Sequence, residues 1–252
     1  MGRLGGRVAI VTGGAEGIGV GYAKALAAEG AHVCVADIQP QAAVVAAIKS
    51  AGGNAIGVNC DVTDAGQVAA MVRTAIEAFG VIDILVNNAA VFARLSSVKP
   101  FEQLTREEWD LALAVNVRGV FECTKAVLPQ MRKQGRGKVI NVASGTAFKG
   151  PAGMLHYVAS KGAVVSMTRS LANELGKDGI TCNCIAPGLV MTDAIKAQPG
   201  IDHIRSGAIE GRFLKRQQSP DDLIGTLIYL ASVDSDFVTG QIIVVDGGSA
   251  LH

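Results

Sequence analysis

The chain has 252 residues, of which 49% are hydrophobic and 18% charged, and its formal net charge is +1. That length suits one large α/β domain or two small ones and can bury a substantial core. The near balance of 23 basic and 22 acidic side chains argues against a nucleic acid or a membrane surface as partner, because both attract a large positive patch.

Seven short apolar runs predict strands, and segments of helical length lie between them. In chain order the runs are RVAIVT (7–12), AHVCVAD (31–37), AIGVNCD (55–61), DILVNNA (83–89), KVINVAS (138–144), ITCNCIAP (180–187) and QIIVVDGG (241–248). Runs rich in Val and Ile without polar alternation are typical of strands covered on both faces. The pattern therefore predicts a single α/β domain over residues 1–252, with a doubly wound parallel sheet of about seven strands and helices on both faces.

The first predicted strand leads into a glycine-rich turn, TGGAEGIG (12–19), and then into a helical segment. Gly13, Gly17 and Gly19 permit a tight turn whose main-chain amides can approach a pyrophosphate at the helix N-terminus. Asp37 ends the second strand, 18 residues after Gly19, where its carboxylate can accept hydrogen bonds from the adenosine ribose. The turn and Asp37 together predict a dinucleotide site. Asp37 and Glu16 place negative charge where NADP carries its 2′-phosphate, and this charge would repel the phosphate, so we expect a preference for NAD.

The long helical run TREEWDLALAVNVRGVFECTKAVLPQM (105–131) contains Asn116, a mediocre helix former, in its interior. The basic residues between Lys125 and Lys138 are expected at its C-terminal end, where cations complement the helix dipole.

The cysteines predict a reducing compartment. Their number is odd and no CxxC spacing suggests a metal site, so we expect small core residues and no metal. They are Cys34, Cys60, Cys123, Cys182 and Cys184. No segment has the length of a signal-peptide core or a transmembrane span, which favours a cytoplasmic protein.

The stretch HYVASKGAV (156–164) places Tyr157 and Lys161 four positions apart, on one face of a helix. A tyrosine with the ordinary pKa of about 10 is a poor base at neutral pH. An ammonium about 5 Å away, at an effective dielectric of about 20, would lower that pKa by about two units. Ser144 follows the fifth strand at the same sheet edge, where its hydroxyl can orient a substrate oxygen. The adjacent His156 is expected on the cleft wall or the surface.

Together these motifs resemble the short-chain dehydrogenase/reductase family over essentially the whole chain. The resemblance is carried by TGGAEGIG (12–19), NNAA (87–90), Asn116, Ser144, YVASK (157–161) and PGLVMT (187–192). One departure is Ala90, where the family commonly has glycine; either the backbone there is less strained or it needs no positive φ. The resemblance implies a Rossmann-like fold and reversible hydride transfer between NAD and a carbonyl/alcohol pair. It implies Asn116, Ser144, Tyr157 and Lys161 as the catalytic residues.

The resemblance also implies how NAD is held. Asn116 would hold a water behind Lys161, Lys161 would bond the nicotinamide ribose, and Thr192 with the Val190 main chain would meet the carboxamide. Asp61 and Val62 would border the adenine. The implied cofactor-binding set is Gly13, Glu16, Gly17, Ile18, Gly19, Asp37, Ile38, Asp61, Val62, Asn88, Tyr157, Lys161, Pro187, Gly188, Val190 and Thr192.

Residues 189–219 lack strand character and are expected to form a substrate loop or lid. Together with GTAFKGPAGMLH (145–156) and VFARLSS (91–97) they would select the substrate. Candidate apolar walls are Phe92, Phe148, Met154, Leu155 and Leu189, with Lys149 as a polar contact. They favour a hydrophobic secondary alcohol or ketone as substrate. The C-terminal VDGGSALH resembles NAD-linked family members that act on aromatic or alicyclic alcohols, which implies a substrate of that kind.

Several alternatives stay open. Within the family these are a 3-oxoacyl thioester reductase and a sugar or polyol dehydrogenase. An epimerase or dehydratase of the extended branch would usually carry a larger C-terminal domain, and a sensing protein without catalysis would be expected to lack the Tyr or the Lys. The family commonly forms homotetramers through the helices containing Asn116 and Tyr157 and through the last strand.

Overall fold

The computed structural model describes residues 2–92, 98–197 and 201–251, the side chains of 201–204 excepted. Within these residues seven strands form one sheet in the order β3-β2-β1-β4-β5-β6-β7, with every neighbouring pair parallel. The strands are β1 (Val8–Thr12), β2 (His32–Asp37), β3 (Asn54–Asn59), β4 (Ile84–Asn87), β5 (Gly137–Val142), β6 (Ile180–Pro187) and β7 (Ile242–Val245). Each coincides with a predicted run to within a few residues, which confirms the α/β doubly wound sheet.

The α-helices of the described residues connect these strands. They are α1 (Gly17–Ala28), α2 (Ala42–Ser50), α3 (Ala65–Phe79), α4 (Arg106–Leu113), α5 (Gly119–Gln134), α6 (Thr146–Lys149), α7 (Leu155–Leu175), α8 (Asp193–Lys196), α9 (Ile201–Glu210) and α10 (Ile224–Ala231). Helix α4 begins with a capping box between Thr105 and Glu108. Helix α5 has Arg132 and Lys133 in its last turn and ends at Gly135 in the left-handed conformation, as the basic stretch predicted.

The strands are covered by helices on both faces. Val11 of β1 packs in one apolar cluster with Tyr22 of α1 and Leu227 of α10, whereas the adjacent Ile10 packs in another with Met71 of α3 and Met131 of α5. Because successive side chains of a strand point to opposite faces, both must be apolar. Strand β3 differs from the expected buried run. It lies at the sheet edge, where its residues alternate between buried and more exposed positions.

The predicted helical run 105–131 is interrupted at the position of Asn116. Residues Ala114–Arg118 form a π-helical turn between α4 and α5, and the Asn116 side chain is completely buried. A π turn inserts an extra residue into the helical repeat and often marks a functional site. The π-helical turn therefore accommodates Asn116, a poor helix former, as a buried residue.

Over the described ranges, no helix combines the length and apolarity required to cross a bilayer. Nor do these ranges contain a group of three or more His, Cys, Asp or Glu side chains placed to hold a metal ion. All five cysteines are buried free thiols.

Candidate active site

The glycine turn after β1 lies at the carboxyl edge of the sheet. Gly13 and Gly17 have φ values of 61° and 57°, in the left-handed region that glycine adopts without strain. A Cβ atom on Gly19 would collide with the Gly13 carbonyl oxygen. Glu16 precedes α1 without capping it through its side chain. The turn and the first amides of α1 thus form a cradle suited to a pyrophosphate.

Asn88, just after β4, braces this turn. Its Nδ2 donates to the Thr12 and Gly13 carbonyl oxygens at 3.0 and 2.9 Å. The Asn88 and Ala89 main-chain amides each donate to Thr12 Oγ1 at 3.1 Å. Ala90 follows, and no described residue other than glycine has a positive φ. The departure from the family glycine is therefore accommodated because the backbone at Ala90 needs no left-handed conformation.

Asp37 closes the opposite side of the cradle. Its side chain is largely buried, with the residue 8% exposed, and its carboxylate accepts from the Ala15 and Gln39 main-chain amides, both at 2.9 Å. A carboxylate has about four acceptor sites, so two bonds leave capacity for ribose hydroxyls. Ile38 follows with half of its surface exposed. The arrangement fixes a negative charge beside the glycine turn.

The end of β3 supplies the next pair of predicted residues. Asp61 Oδ1 accepts from the Thr63 amide and hydroxyl, both at 2.8 Å, which shapes the turn that follows the strand. Val62 is buried, and a Cβ on Gly119 of α5 would come within 2.6 Å of its side chain. Asp61 and Val62 are therefore held in place at the carboxyl edge of the sheet, by hydrogen bonds within the turn and by packing against α5.

Ser144, Tyr157 and Lys161 are brought together behind β5. The Ser144 hydroxyl lies near enough to the Tyr157 side chain to act on its pKa. Lys161 Nζ lies 5.8 Å from the Tyr157 ring centroid and donates to the Val142 carbonyl oxygen at 2.8 Å. The ring of Phe92 packs against that of Tyr157, with centroids 4.9 Å apart. A phenol, a hydroxyl and an amine thus share one mostly buried corner of the cleft.

The electrostatics of this corner differ from the sequence-based expectation. Burial raises the pKa of Tyr157 to about 12, against the lowering effect of the Ser144 hydroxyl. Burial also lowers the pKa of Lys161 to about 8. The expected two-unit drop in the pKa of Tyr157 is wrong for the protein on its own, because desolvation penalises the phenolate more than the nearby amine stabilises it. Tyr157 is therefore poised as a proton donor.

Asn116 is linked to Tyr157 through a residue that the motif reading missed. Asn116 Oδ1 accepts from the Val91 amide at 2.8 Å, and its Nδ2 donates to Ser160 Oγ at 3.0 Å. Ser160 Oγ in turn donates to the Tyr157 carbonyl oxygen at 2.7 Å. The one available signal was its position within YVASK, as a polar residue directly before Lys161. The chain of bonds holds the π turn against the helix that carries Tyr157.

The segment after β6 faces the glycine turn. The Gly188 amide donates to the Val245 carbonyl oxygen at 3.1 Å, and Val190 is buried. Thr192 precedes α8, where its hydroxyl accepts from the Ile195 amide. A Cβ added to Gly17 would lie 3.6 Å from Thr192 Cγ2. Thr192 thus lies directly beside Gly17 of the glycine turn.

Two of the five candidate apolar walls line this region. Phe92 and Leu189 pack with the buried Met191 and Ile195. The others are placed differently. Phe148 packs against a separate core cluster beneath α7, Met154 precedes α7, and Leu155 lines an outer groove with Trp109. Lys149 Nζ donates to Ser249 Oγ at 2.6 Å. Residues 93–97 of VFARLSS lie outside the described residues.

His156 is buried rather than at the surface, with 3% of the residue exposed. Its Nδ1 has no hydrogen-bond partner among the residues that the structure describes, and burial lowers its pKa. Its charged neighbours are Glu108 and Lys99, which belong to the segment around α4. The imidazole therefore lies among different residues from the Ser144 hydroxyl and the Lys161 amine.

Fold and site together define an oxidoreductase that uses a nicotinamide dinucleotide. Residues 13–250 match the family model described as enoyl-(acyl carrier protein) reductase. The short-chain reductase protein NovJ of Streptomyces niveus is 42% identical over 248 residues, 96% of this chain and 93% of that protein. The (2S)-[(R)-hydroxy(phenyl)methyl]succinyl-CoA dehydrogenase subunit BbsD of Thauera aromatica is 40% identical over 253 residues, 97% of each chain.

A crystal structure from Agrobacterium tumefaciens, assigned provisionally as a gluconate dehydrogenase, matches with a TM-score of 0.91 at 32% identity, over 98% of this chain and 96% of that chain. The chain belongs to the short-chain dehydrogenase/reductase family. Its members interconvert CH–OH and carbonyl groups with NAD(P).

Proposed function

We propose that this protein transfers a hydride reversibly between NAD(H) and a hydrophobic secondary alcohol or ketone of the aromatic or alicyclic kind. The observation that carries the proposal is the Tyr157 side chain, whose ring packs against Phe92 and whose pKa, raised by burial, is lowered in part by the nearby Ser144 hydroxyl. A substrate oxygen bound between the two hydroxyls would leave its carbon skeleton beside Phe92 and Leu189. The relative BbsD, whose name includes a phenyl-substituted alcohol, supports an aromatic substrate.

Proton transfer is assigned to Tyr157. During reduction its hydroxyl donates a proton to the carbonyl oxygen, which suits a group whose pKa of about 12 keeps it protonated at neutral pH. During oxidation the same oxygen must accept the alcohol proton. With a pKa of about 8, Lys161 still carries its positive charge at pH 7 and stabilises the resulting phenolate. When bound, the cofactor supplies or accepts the hydride and, oxidised, adds a positive charge.

The other catalytic roles follow from position. Ser144 orients the substrate oxygen by hydrogen bonding. Asn116 is buried and bonded to Val91 and Ser160, so it is assigned to hold the shape of the site and a water behind Lys161. Lys161 is also assigned to the nicotinamide ribose.

The cradle is suited to a dinucleotide. Gly13, Gly17, Ile18 and Gly19 would hold the pyrophosphate, where a Cβ on Gly19 would fill the turn itself. Asp37 has free acceptor capacity for the adenosine ribose hydroxyls. The remaining contacts are assigned to the adenine and nicotinamide ends, and they are Glu16, Ile38, Asp61, Val62, Asn88, Pro187, Gly188, Val190 and Thr192. The fixed charge of Asp37 favours NAD over NADP.

We further propose that residues 189–219 act as a substrate lid within one domain, and that the enzyme is a cytoplasmic homotetramer. Five buried free thiols suit a reducing compartment. The faces available for assembly include α7, where a Cβ on Gly162 would meet no described atom within 4 Å, and α5, where Phe121 is 48% exposed. Light scattering during gel filtration should give four times the chain mass of 25.9 kDa. A monomeric mass would refute the assembly.

The substrate proposal is tested by initial rates of NADH formation with a panel of aryl alcohols, alicyclic alcohols, hydroxyacyl thioesters, polyols and sugars, repeated with NADP. We expect turnover to be fastest with NAD and apolar secondary alcohols. Faster turnover of hydroxyacyl thioesters with NADP would overturn both the cofactor and the substrate proposals. Silence across the panel, with intact folding, would favour a sensing protein.

A 3-oxoacyl thioester reductase is the second candidate. It is supported by a relative from Synechocystis, named as a 3-oxoacyl-[acyl-carrier-protein] reductase and 36% identical over 258 residues. The same panel separates the two, because the hydroxyacyl thioester arm reports directly on this reaction.

A further inference from the structure

Arg212, just after α9, carries a buried guanidinium that the proposed chemistry does not use. The residue is 3% exposed. Its Nη2 donates to the Leu189 carbonyl oxygen at 2.7 Å, and its Nη1 donates to the Arg216 carbonyl oxygen at 3.0 Å. Its third, longer contact is to Gln218 Oε1 at 3.5 Å. Among the described residues, no carboxylate lies within ion-pair distance of this guanidinium.

Gln218 extends this arrangement to the edge of the sheet. The residue is 5% exposed, and its Nε2 donates to the Val245 carbonyl oxygen of β7 at 2.6 Å. Its own carbonyl oxygen accepts from the Met191 amide at 3.0 Å, and Val190 and Gln218 form an isolated parallel bridge. The two ends of segment 189–219 are therefore fastened to each other and to the last strand.

Burying a guanidinium is unfavourable unless its donors are satisfied. Burial lowers the pKa of Arg212, and the buried Asp246 carboxylate, which attracts this guanidinium without an ion-pair contact, raises it in part. Here the rigid planar fork of arginine reaches two carbonyl oxygens that are far apart in sequence, Leu189 and Arg216, which a lysine ammonium cannot do in the same geometry. Leu189 immediately precedes Val190, and Thr192 faces the glycine turn. Arg212 therefore controls the position of the strand end to which the nicotinamide contacts are assigned.

We propose that Arg212, supported by Gln218, is a positioning residue for the nicotinamide half of the cofactor. It holds the Leu189 carbonyl so that Val190 and Thr192 keep a fixed distance from the glycine turn. This role rests on the proposed use of a nicotinamide dinucleotide. It predicts that loss of Arg212 weakens contacts at the nicotinamide end and spares those at the adenosine end.

The test compares binding of NADH with binding of ADP-ribose, which lacks the nicotinamide, by isothermal titration calorimetry. The variants are Arg212→Met, Arg212→Lys and the control Arg216→Met. Arg216 pairs with Asp222 at the surface, at 2.6 Å, and its main-chain carbonyl oxygen accepts the hydrogen bond from Arg212. For Arg212→Met we expect NADH affinity to fall about tenfold and ADP-ribose affinity to change by less than about twofold. Arg212→Lys should restore part of the NADH affinity, and the control should bind both ligands as the wild type does.

Equal losses of NADH and ADP-ribose affinity in Arg212→Met would overturn the proposal, because a general structural role weakens both ends of the site. Unchanged NADH affinity would overturn it as well. If thermal unfolding shows that Arg212→Met does not fold, Arg212→Lys takes its place. A larger loss of NADH affinity than of ADP-ribose affinity in that variant supports the proposal, and equal losses overturn it. Failure of the wild type to bind either ligand would instead refute the proposed cofactor, which separates the two ideas.

Discussion

Replacing Asp37 with asparagine removes one negative charge at the adenosine end while keeping the side-chain size. The carboxylate is held by the Ala15 and Gln39 amides at 2.9 Å, so it has little freedom to turn away from a 2′-phosphate on the same ribose. Two unit charges about 4 Å apart repel by about 1 kcal/mol at a dielectric of about 80 and about 4 kcal/mol at about 20. At the edge of a cleft about 2 kcal/mol is appropriate, which corresponds to roughly 30-fold in cofactor preference.

The assay is the ratio of kcat/KM with NAD to kcat/KM with NADP, measured for the wild type, Asp37→Asn and Asp64→Asn. Asp64 caps α3 through the Gly66 and Gln67 amides, and asparagine can retain that cap. The ratio should fall roughly 30-fold in Asp37→Asn and stay unchanged in Asp64→Asn. An unchanged ratio in Asp37→Asn would refute the assignment. An equal fall in the control would show that overall charge, rather than a contact, sets the preference.

Three further variants test other parts of the site. Gly19→Ala should abolish NADH binding in calorimetry, because the added Cβ collides with the glycine turn. The control Gly21→Ala should bind NADH normally, because its added Cβ would come no closer than 3.5 Å to a neighbour, Pro220 Cβ. Ser160→Ala should lower Tm by a few degrees, about 1 to 2 kcal/mol, and reduce kcat, since it breaks the bonds to Asn116 and the Tyr157 carbonyl. Lys161→Met should abolish turnover yet raise Tm at pH 7, because it removes a buried ammonium.

The stability difference between Lys161→Met and wild type should depend on pH. Burial lowers the pKa of Lys161 from 10.5 to about 8, so below pH 8 the amine is charged in both states and the folded protein carries the full cost of burying it. That cost fades as the pH rises toward the unfolded value of 10.5. The Tm advantage of Lys161→Met should therefore be largest at pH 7 and shrink near pH 10. A Tm of Lys161→Met below that of wild type at pH 7 would contradict this reasoning. For the other two variants, the contradicting results are normal NADH binding by Gly19→Ala and an unaltered Tm of Ser160→Ala.

Much of the fold was predictable because burial on both faces leaves a direct mark on sequence. Strands such as β1, between Tyr22 on one side and Met71 on the other, can accept only apolar residues, so their runs stand out. The proximity of Ser144, Tyr157 and Lys161 was also predictable. A four-residue helical spacing and the shared carboxyl edge of a parallel sheet bring those side chains together whatever the details of packing.

The remaining features depend on contacts between distant residues, for which no local pattern exists. The π turn at Asn116 is stabilised by the main chain of Val91, and Arg212 reaches back 23 residues to Leu189. Neither contact has a periodicity that a strand or helix pattern could show. The raised pKa of Tyr157 was missed for a related reason, since desolvation is set by the whole fold rather than by the spacing to Lys161.

The role of Tyr157 as proton carrier is tested most directly by comparing NADH formation from an aryl secondary alcohol by wild type and by Tyr157→Phe, with NADH affinity measured on the same preparations. We expect Tyr157→Phe to lose turnover by about a hundredfold to ten-thousandfold, with NADH affinity within about twofold of wild type. Turnover near the wild-type rate in Tyr157→Phe would contradict this expectation and transfer the acid/base role to another group.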